Sequence, residues 1–237
     1  MIPYRTVGVI GAMDEEIRLL LERMERSGSS NAAGTVYHEG KIGDRRIVLC
    51  KSGVGKVNAA VCTQVLIDRF GVDAVIFTGV AGALDPSLNI GDIVISRDCM
   101  QHDMDASPLG YERGVIPYQD VSVFPADRVL AEAALTASRR LFGSRVMEGR
   151  ILSGDQFIAN RETVRLLHEQ FGGTCVEMEG AAVAQVCHLN GIPFVIIRSM
   201  SDQADGSAPG NFEQFTRLAS ERSFKIVEAV LRENEAE

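Results

Sequence analysis

The feature that most constrains this chain is an alternation. Short apolar runs rich in β-branched residues, Thr6 to Ile10, Asp73 to Thr78, Val146 to Leu152 and Phe194 to Ile197, recur between stretches of helical spacing. Runs of that length, bounded by turn residues, read as strands buried on both faces. The stretches between them read as helices: Met13 to Met24 with Ile17, Leu20 and Leu21 on one side, Lys56 to about Phe70, Pro125 to about Phe142, Arg161 to Phe171, Gly180 to Asn190, and Asn211 to Arg232. Thr35 to Lys41 and Arg45 to Cys50 predict an antiparallel hairpin turning at Gly43-Asp44, preceded by a polar loop at Ser27 to Gly34. No repeat, low-complexity block or dividing linker interrupts the pattern, and Gly206 to Gly210 reads only as a local flexible connection. The expectation is one α/β domain over residues 1–237 with a largely buried sheet.

Composition narrows the class of partner. The net charge is -8 with a pI near 5.1. Nucleic acid and anionic membrane surfaces both require a basic face, so neither is expected as a partner. The five cysteines are odd in number and lack a CxxC pair, which suits buried free thiols in a reducing compartment. No HExxH or HxH pattern suggests a metal, and none is expected. The N-terminal apolar run meets acids at once, and no stretch approaches the ~18–20 apolar residues that span a bilayer. A cytoplasmic protein acting on a small ligand is the expectation.

Candidate site residues cluster in Cys175 to Asp202. Glu177 and Glu179 flank Met178 ahead of a small-residue helix, and the apolar run Phe194 to Ile197 leads into Arg198, Ser201 and Asp202. Open α/β sheets bind ligands at the carboxyl ends of their strands. Each acid taken alone is equally a helix cap, because carboxylates are favoured near helix N-termini. As a set, charges beside buried apolar runs point to a site. Asp14, Glu15 and Glu16 open the first helix, and one of them can face the same crevice. The glycines of KSGVGKVNAA fit neither a P-loop, since Cys50 stands where its first Gly belongs, nor the dinucleotide fingerprint, since Asn58 replaces its third Gly. They read as a strand-to-helix turn with close backbone approach. Phe157 and Ile158 are apolar in a polar turn, suited to the core or to stacking. Gln101 to Gln119 is a long loop of the kind used for lids and subunit contacts.

GAMDEE, SGVGK, TGVAGAL, SGDQFI, VEMEGAAVA and RSMSD occur in this order, between Val7 and Val230. Together they resemble the methylthioadenosine/S-adenosylhomocysteine nucleosidases of the nucleoside phosphorylase superfamily. The resemblance implies a single-domain three-layer α/β/α sandwich around a central mixed, twisted sheet. It implies that Glu16 positions the attacking water, with Arg198 nearby. Met178 and Glu179 would contact the ribose, Asp202 would protonate the purine, and Ser201 would orient Asp202. Phe157 would stack on adenine while the Ile158 backbone reads its edge, and Met13, Val54 and Phe212 would line the alkylthio pocket. Leu109 and Pro117 would reach that pocket from a neighbouring subunit, which implies a homodimer. No metal or organic cofactor is implied.

These residue types suit cleavage of an N-glycosidic bond. The departing purine needs a proton, the cationic sugar needs a carboxylate, and water on the opposite face needs a base. The implied activity is hydrolysis of methylthioadenosine and S-adenosylhomocysteine to adenine and a thioribose product. Val80 stands where many relatives have Ser, which weakens any phosphate site. A phosphate-dependent phosphorylase, an aminodeoxyfutalosine hydrolase and a nucleoside-binding or storage protein on the same fold are the competing readings.

Overall fold

The structure, a computed structural model, describes residues 2–202 and 212–232. Its strands are β1 (Thr6–Gly11), β2 (Glu25–Ala32), β3 (Thr35–Ile42), β4 (Arg45–Lys51), β5 (Ala74–Ala83), β6 (Ile93–Gln101), β7 (Val123–Pro125), β8 (Val146–Ser153), β9 (Gly173–Glu177) and β10 (Phe194–Asp202). Its helices are α1 (Asp14–Arg23), α2 (Lys56–Phe70), α3 (Arg128–Phe142), α4 (Arg161–Phe171), α5 (Gly180–Asn190) and α6 (Phe212–Arg232). The sheet is mixed. β1 lies parallel to β4 and β5, β10 parallel to β5, and β8 parallel to β6 and β9. Antiparallel pairs join β10 to β6, β5 to β9, β6 to β7, and β2 to β3 to β4.

The order is β10-β6-β8-β9-β5-β1-β4-β3-β2, and β10 also pairs with β5. That extra pairing closes β5, β9, β8, β6 and β10 into a ring, while β1, β4, β3 and β2 extend as an open wing. Side chains alternate across a strand, so each central strand serves two helical layers. Val75, Phe77, Phe194 and Ile196 pack with Leu66 of α2 and Val183 of α5. Their neighbours Ala74, Ile76, Val195 and Ile197 pack on the other face with Ile17 and Leu20 of α1, Leu130 of α3, and Val227 of α6. Fully burying such a side chain contributes roughly 1.5–3 kcal/mol, which is why the strands read as continuous apolar runs. Helix, sheet and helix layers thus match the expected sandwich.

Local signals account for the helix limits. The Asp127 carboxylate accepts from the Leu130 N–H at the start of α3, and Asn160 caps α4 through the Glu162 and Thr163 N–H groups. Gly71, Gly172 and Gly191 end α2, α4 and α5 in left-handed conformations.

Four expectations on element limits need correction. Ser27 to Gly34 is not a loop: its residues up to Ala32 belong to β2. Seven of the eight β2 residues are exposed, so no apolar alternation marks it, and its backbone pairing with β3 alone makes it a strand. A polar edge of this kind resists pairing with another chain. β5 does not stop at Thr78 but carries the glycine-rich TGVAGA as strand, and β10 runs through Arg198 to Asp202 instead of ending at Ile197. Neighbouring ladders impose these extensions, Gly79 pairing with Arg198 and Gly82 with Asp202. Pro125 does not open a helix but ends the three-residue strand β7, and α3 begins at Arg128. The connection at 206–210 lies outside the described residues. Among the described residues no helix is long and apolar enough to cross a membrane.

Candidate active site

At the carboxyl ends of β1, β5, β9 and β10 the molecule holds a cavity of about 270 Å³. Glu16, Glu179 and Asp202 meet in its lining, with Met13, Val54, Val80, Phe157, Ile158, Met178 and Ser201. The three acids come from three places: the first turn of α1, the residue just ahead of α5, and the last residue of β10. All three are buried.

The first turn of α1 sorts its acids by geometry. Asp14 is exposed and pairs with Lys51, and Glu15 is exposed. Glu16 turns inward. Its Oε2 accepts from the Ala12 and Met13 N–H groups at 2.6 and 3.0 Å, and its Oε1 accepts from the Val80 N–H at 3.0 Å. Burial raises its pKa, against the opposing pull of Arg198 and these three N–H groups. Val80 therefore serves Glu16 through its backbone, although its side chain offers no hydrogen bond.

Glu177 and Glu179 divide the two readings of VEMEG between them. Glu177 caps α5, accepting from the Glu179 and Gly180 N–H groups, and also takes a hydrogen bond from Ser153 and an ion pair from Arg198. Glu179 faces the cavity, where its Oε1 accepts from the Gly55 N–H at 2.8 Å. Gly55 has φ +99° and begins α2, so the close backbone approach expected of KSGVGK is an approach to this carboxylate. Burial, followed by the charge of Glu177, pushes the Glu179 pKa up to about 8.

Arg198 lies behind the cavity instead of lining it. It is 1% exposed, with its guanidinium 4.0 Å from the centre of the Phe77 ring and ion-paired to Glu177. Burial works to lower its pKa, but Glu177, Glu16 and Glu179 together raise it. A Cβ on Gly79 would stand 2.4 Å from Glu16 Oε1 and 2.7 Å from Arg198 Nη1, so this glycine is what lets the acid and the guanidinium share one strand crossing. Ser201 Oγ donates to Asp202 Oδ2 at 2.8 Å, as an orienting neighbour should.

Phe157 is 57% exposed at the mouth and Ile158 is half-buried, so the apolar pair in the polar turn faces the cavity. Leu109 and Pro117 do not reach it from their own chain; Leu109 is 70% exposed on the long loop. Phe212 opens α6, and its side chain lies outside the described residues. Sequence reasoning missed Ser153 and the role of Glu177 as the partner of Arg198. A serine at the end of a strand carries no signal of its own. Among the described residues, no group of three or more His, Cys, Asp or Glu is arranged to hold a metal.

The family model of the phosphorylase superfamily matches residues 6–232. A curated 5′-methylthioadenosine/S-adenosylhomocysteine nucleosidase of Geobacillus kaustophilus is 43% identical over 94% of this chain and 95% of its own. The solved nucleosidase of the same name from Neisseria meningitidis, in complex with methylthio-immucillin-A, superposes with a TM-score of 0.93 at 42% identity, covering 97% of this chain and 99% of that one. A futalosine hydrolase of Helicobacter pylori superposes with a TM-score of 0.92 at 34% identity, covering 97% and 98%. With a family model spanning nearly its whole length and relatives this similar, the chain belongs to the phosphorylase superfamily and, within it, to the family of 5′-methylthioadenosine/S-adenosylhomocysteine nucleosidases.

Proposed function

We propose that the protein hydrolyses the N-glycosidic bond of 5′-methylthioadenosine and S-adenosylhomocysteine, releasing adenine and the corresponding thioribose. The observation that carries this is the meeting of Glu16, Glu179 and Asp202, with the Arg198-paired Glu177, all buried, around one cavity that has an aromatic ring at its mouth. Water adds to C1′ as the C1′–N9 bond breaks, and the bonding pair leaves with the purine. Asp202 gives the purine its proton, held in aim by Ser201. Glu179 grips the ribose hydroxyls and offsets the positive charge that develops on the sugar. Glu16 holds the water on the opposite face and accepts its proton, and solvent returns a proton to Asp202. Arg198 keeps the acids from repelling one another. Phe157 stacks on adenine, the Ile158 backbone reads the base edge, and Met13, Met178 and Val54 shape the sugar and alkylthio end.

Hydrolysis is favoured over phosphorolysis by the lining. Phosphate recognition calls for clustered cations and hydroxyls, whereas the cavity presents Val80 and carboxylates, with its arginine buried behind and committed to Glu177. In phosphate-free buffer, chromatography should detect free adenine and free thioribose from either nucleoside. A sugar 1-phosphate formed only when phosphate is added would overturn the assignment. The likeness to a futalosine hydrolase supports a second reading, with aminodeoxyfutalosine as a further substrate. Running aminodeoxyfutalosine in the same assay decides its rank.

The homodimer belongs to the same proposal. The exposed Leu109 and half-buried Pro117 sit on a loop that leaves their own cavity alone, as residues completing a neighbour's pocket would.

A further inference from the structure

Beside the cavity, and touching none of the reacting atoms, lies a compact ionic network. Lys56 Nζ donates to Asp103 Oδ1 at 2.6 Å and to Gln101 Oε1 at 3.0 Å. The second Asp103 oxygen accepts from the Asp155 N–H at 2.9 Å, and Asp155 Oδ1 accepts from the Lys56 N–H at 2.8 Å. Lys56 and Asp103 thus bind each other directly and also through Asp155, in a closed circuit of three residues. Gln101 is held in turn by Gln185 of α5 at 2.5 Å. The Lys56 and Asp103 side chains are only 18% and 20% exposed, so water competes weakly for the pair.

The circuit joins segments with separate tasks. Lys56 directly follows Gly55, whose N–H holds Glu179. Asp155 precedes Phe157 and Ile158 by two and three residues in the turn at the cavity mouth. That turn has no regular secondary structure, so its hydrogen bonds and the packing of Ile158 on the core hold its place. Asp103 opens the loop that carries Leu109 and Pro117. One face of the turn packs against His102, whose ring stands 2.4 Å from where a Cβ on Gly154 would be, leaving the turn little room to shift that way.

We infer that Asp103 and Lys56 are positioning residues: their ion pair locks the base-reading turn at Phe157 and Ile158 to the ribose-side turn at Gly55. Neither is a catalytic residue. The inference rests on reading the cavity as an adenine nucleoside site. Burial alone would raise the Asp103 pKa, yet the Lys56 and Asp155 hydrogen bonds leave it lowered, as a carboxylate engaged on both oxygens should be.

Asp103→Asn keeps the size but sets an amide donor against either Lys56 or the Asp155 N–H. Leaving a part-buried donor without a partner costs enough to loosen the turn and weaken base binding about 10-fold. Calorimetry should show adenine affinity falling about 10-fold in Asp103→Asn, and KM for methylthioadenosine rising by a similar factor. Affinity for the free thioribose should change less than about 2-fold, and kcat less than about 3-fold, because the carboxylates stay in place. Lys56→Met should reproduce the pattern, and the double variant should lose little more than the worse single one, since the residues act as a unit. Equal weakening of adenine and thioribose, additive losses, or unchanged adenine affinity in folded Asp103→Asn and Lys56→Met would each overturn the inference. Failure of the wild-type protein to bind adenine would overturn the nucleosidase reading instead, so the two remain distinguishable.

Discussion

Four charged side chains set the behaviour of the site residue by residue. A single guanidinium, Arg198, faces Glu16, Glu177 and Glu179, all buried. Burial favours the protonated forms of Glu16 and Glu179, against the pull of Arg198. Glu179 has an ordinary value of 4.5 and is raised to about 8 in the folded protein. Between those two values the folded state holds a proton that the unfolded chain releases. The stability this brings is complete below about pH 4.5 and is lost as pH rises through about 8. Glu179→Gln carries no such dependence, and its amide oxygen can still accept from Gly55. At pH 5 the variant and wild-type melting midpoints should nearly coincide. At pH 8.5 the variant should melt about 2–4 °C higher for each ~1 kcal/mol the wild type has given up. Its kcat should fall about 10²–10³-fold, because an amide cannot ionise to meet the positive charge that develops on the sugar. Identical pH dependence of melting in the two proteins would mean that Glu179 is ionised throughout.

Elements bring those residues within reach. β5 and β10 run side by side past the cavity, and where they cross α1 the space is filled by Glu16 and Arg198. Gly79→Ala places a methyl group 2.4 Å from Glu16 Oε1, so the carboxylate must leave its seat on the three N–H groups. A displacement near 1 Å can cost about 10²-fold in rate. The variant should fold with a lowered melting midpoint, since overpacking costs about 1–3 kcal/mol. Its kcat should drop about 10²-fold while KM changes little. Wild-type turnover from Gly79→Ala would show that the seat of Glu16 is not needed for water activation. These elements also explain why the strand continues past Thr78 through TGVAGA. Its glycines serve close side-chain approach inside a strand, and composition alone does not separate that use from a bend.

Across the whole molecule, the long loop between β6 and β7 leaves its own cavity with Leu109 and Tyr118 70% and 89% exposed. If the pocket is shared, Leu109→Asp impairs the partner's site and Glu16→Gln impairs its own. Co-expressed together, the two variants should form mixed dimers in which one site has both intact parts, with activity well above the sum of the separate variants. Sedimentation should report twice the chain mass. A fully active monomer, or no complementation, would refute the shared pocket.

The order of strands and helices was legible along the chain because burial on both sheet faces demands unbroken apolar runs, and caps and glycine stops mark helix limits locally. The acids of the site were legible for a related reason: a charge that ends a buried run needs a partner or a use. Legibility ended where the cause is not local. β2 is a strand only because β3 supplies its hydrogen bonds. GAMDEE offers three adjacent acids, and the rotation of α1 against β5 is what buries Glu16 while leaving Asp14 and Glu15 in water. In VEMEG the residue types alone left both glutamates as caps or ligands, and only the family resemblance singled out Glu179. The tertiary structure decided between them, because Arg198 from β10 and the N–H groups at the start of α5 claim Glu177, leaving Glu179 to meet Gly55 across the cavity.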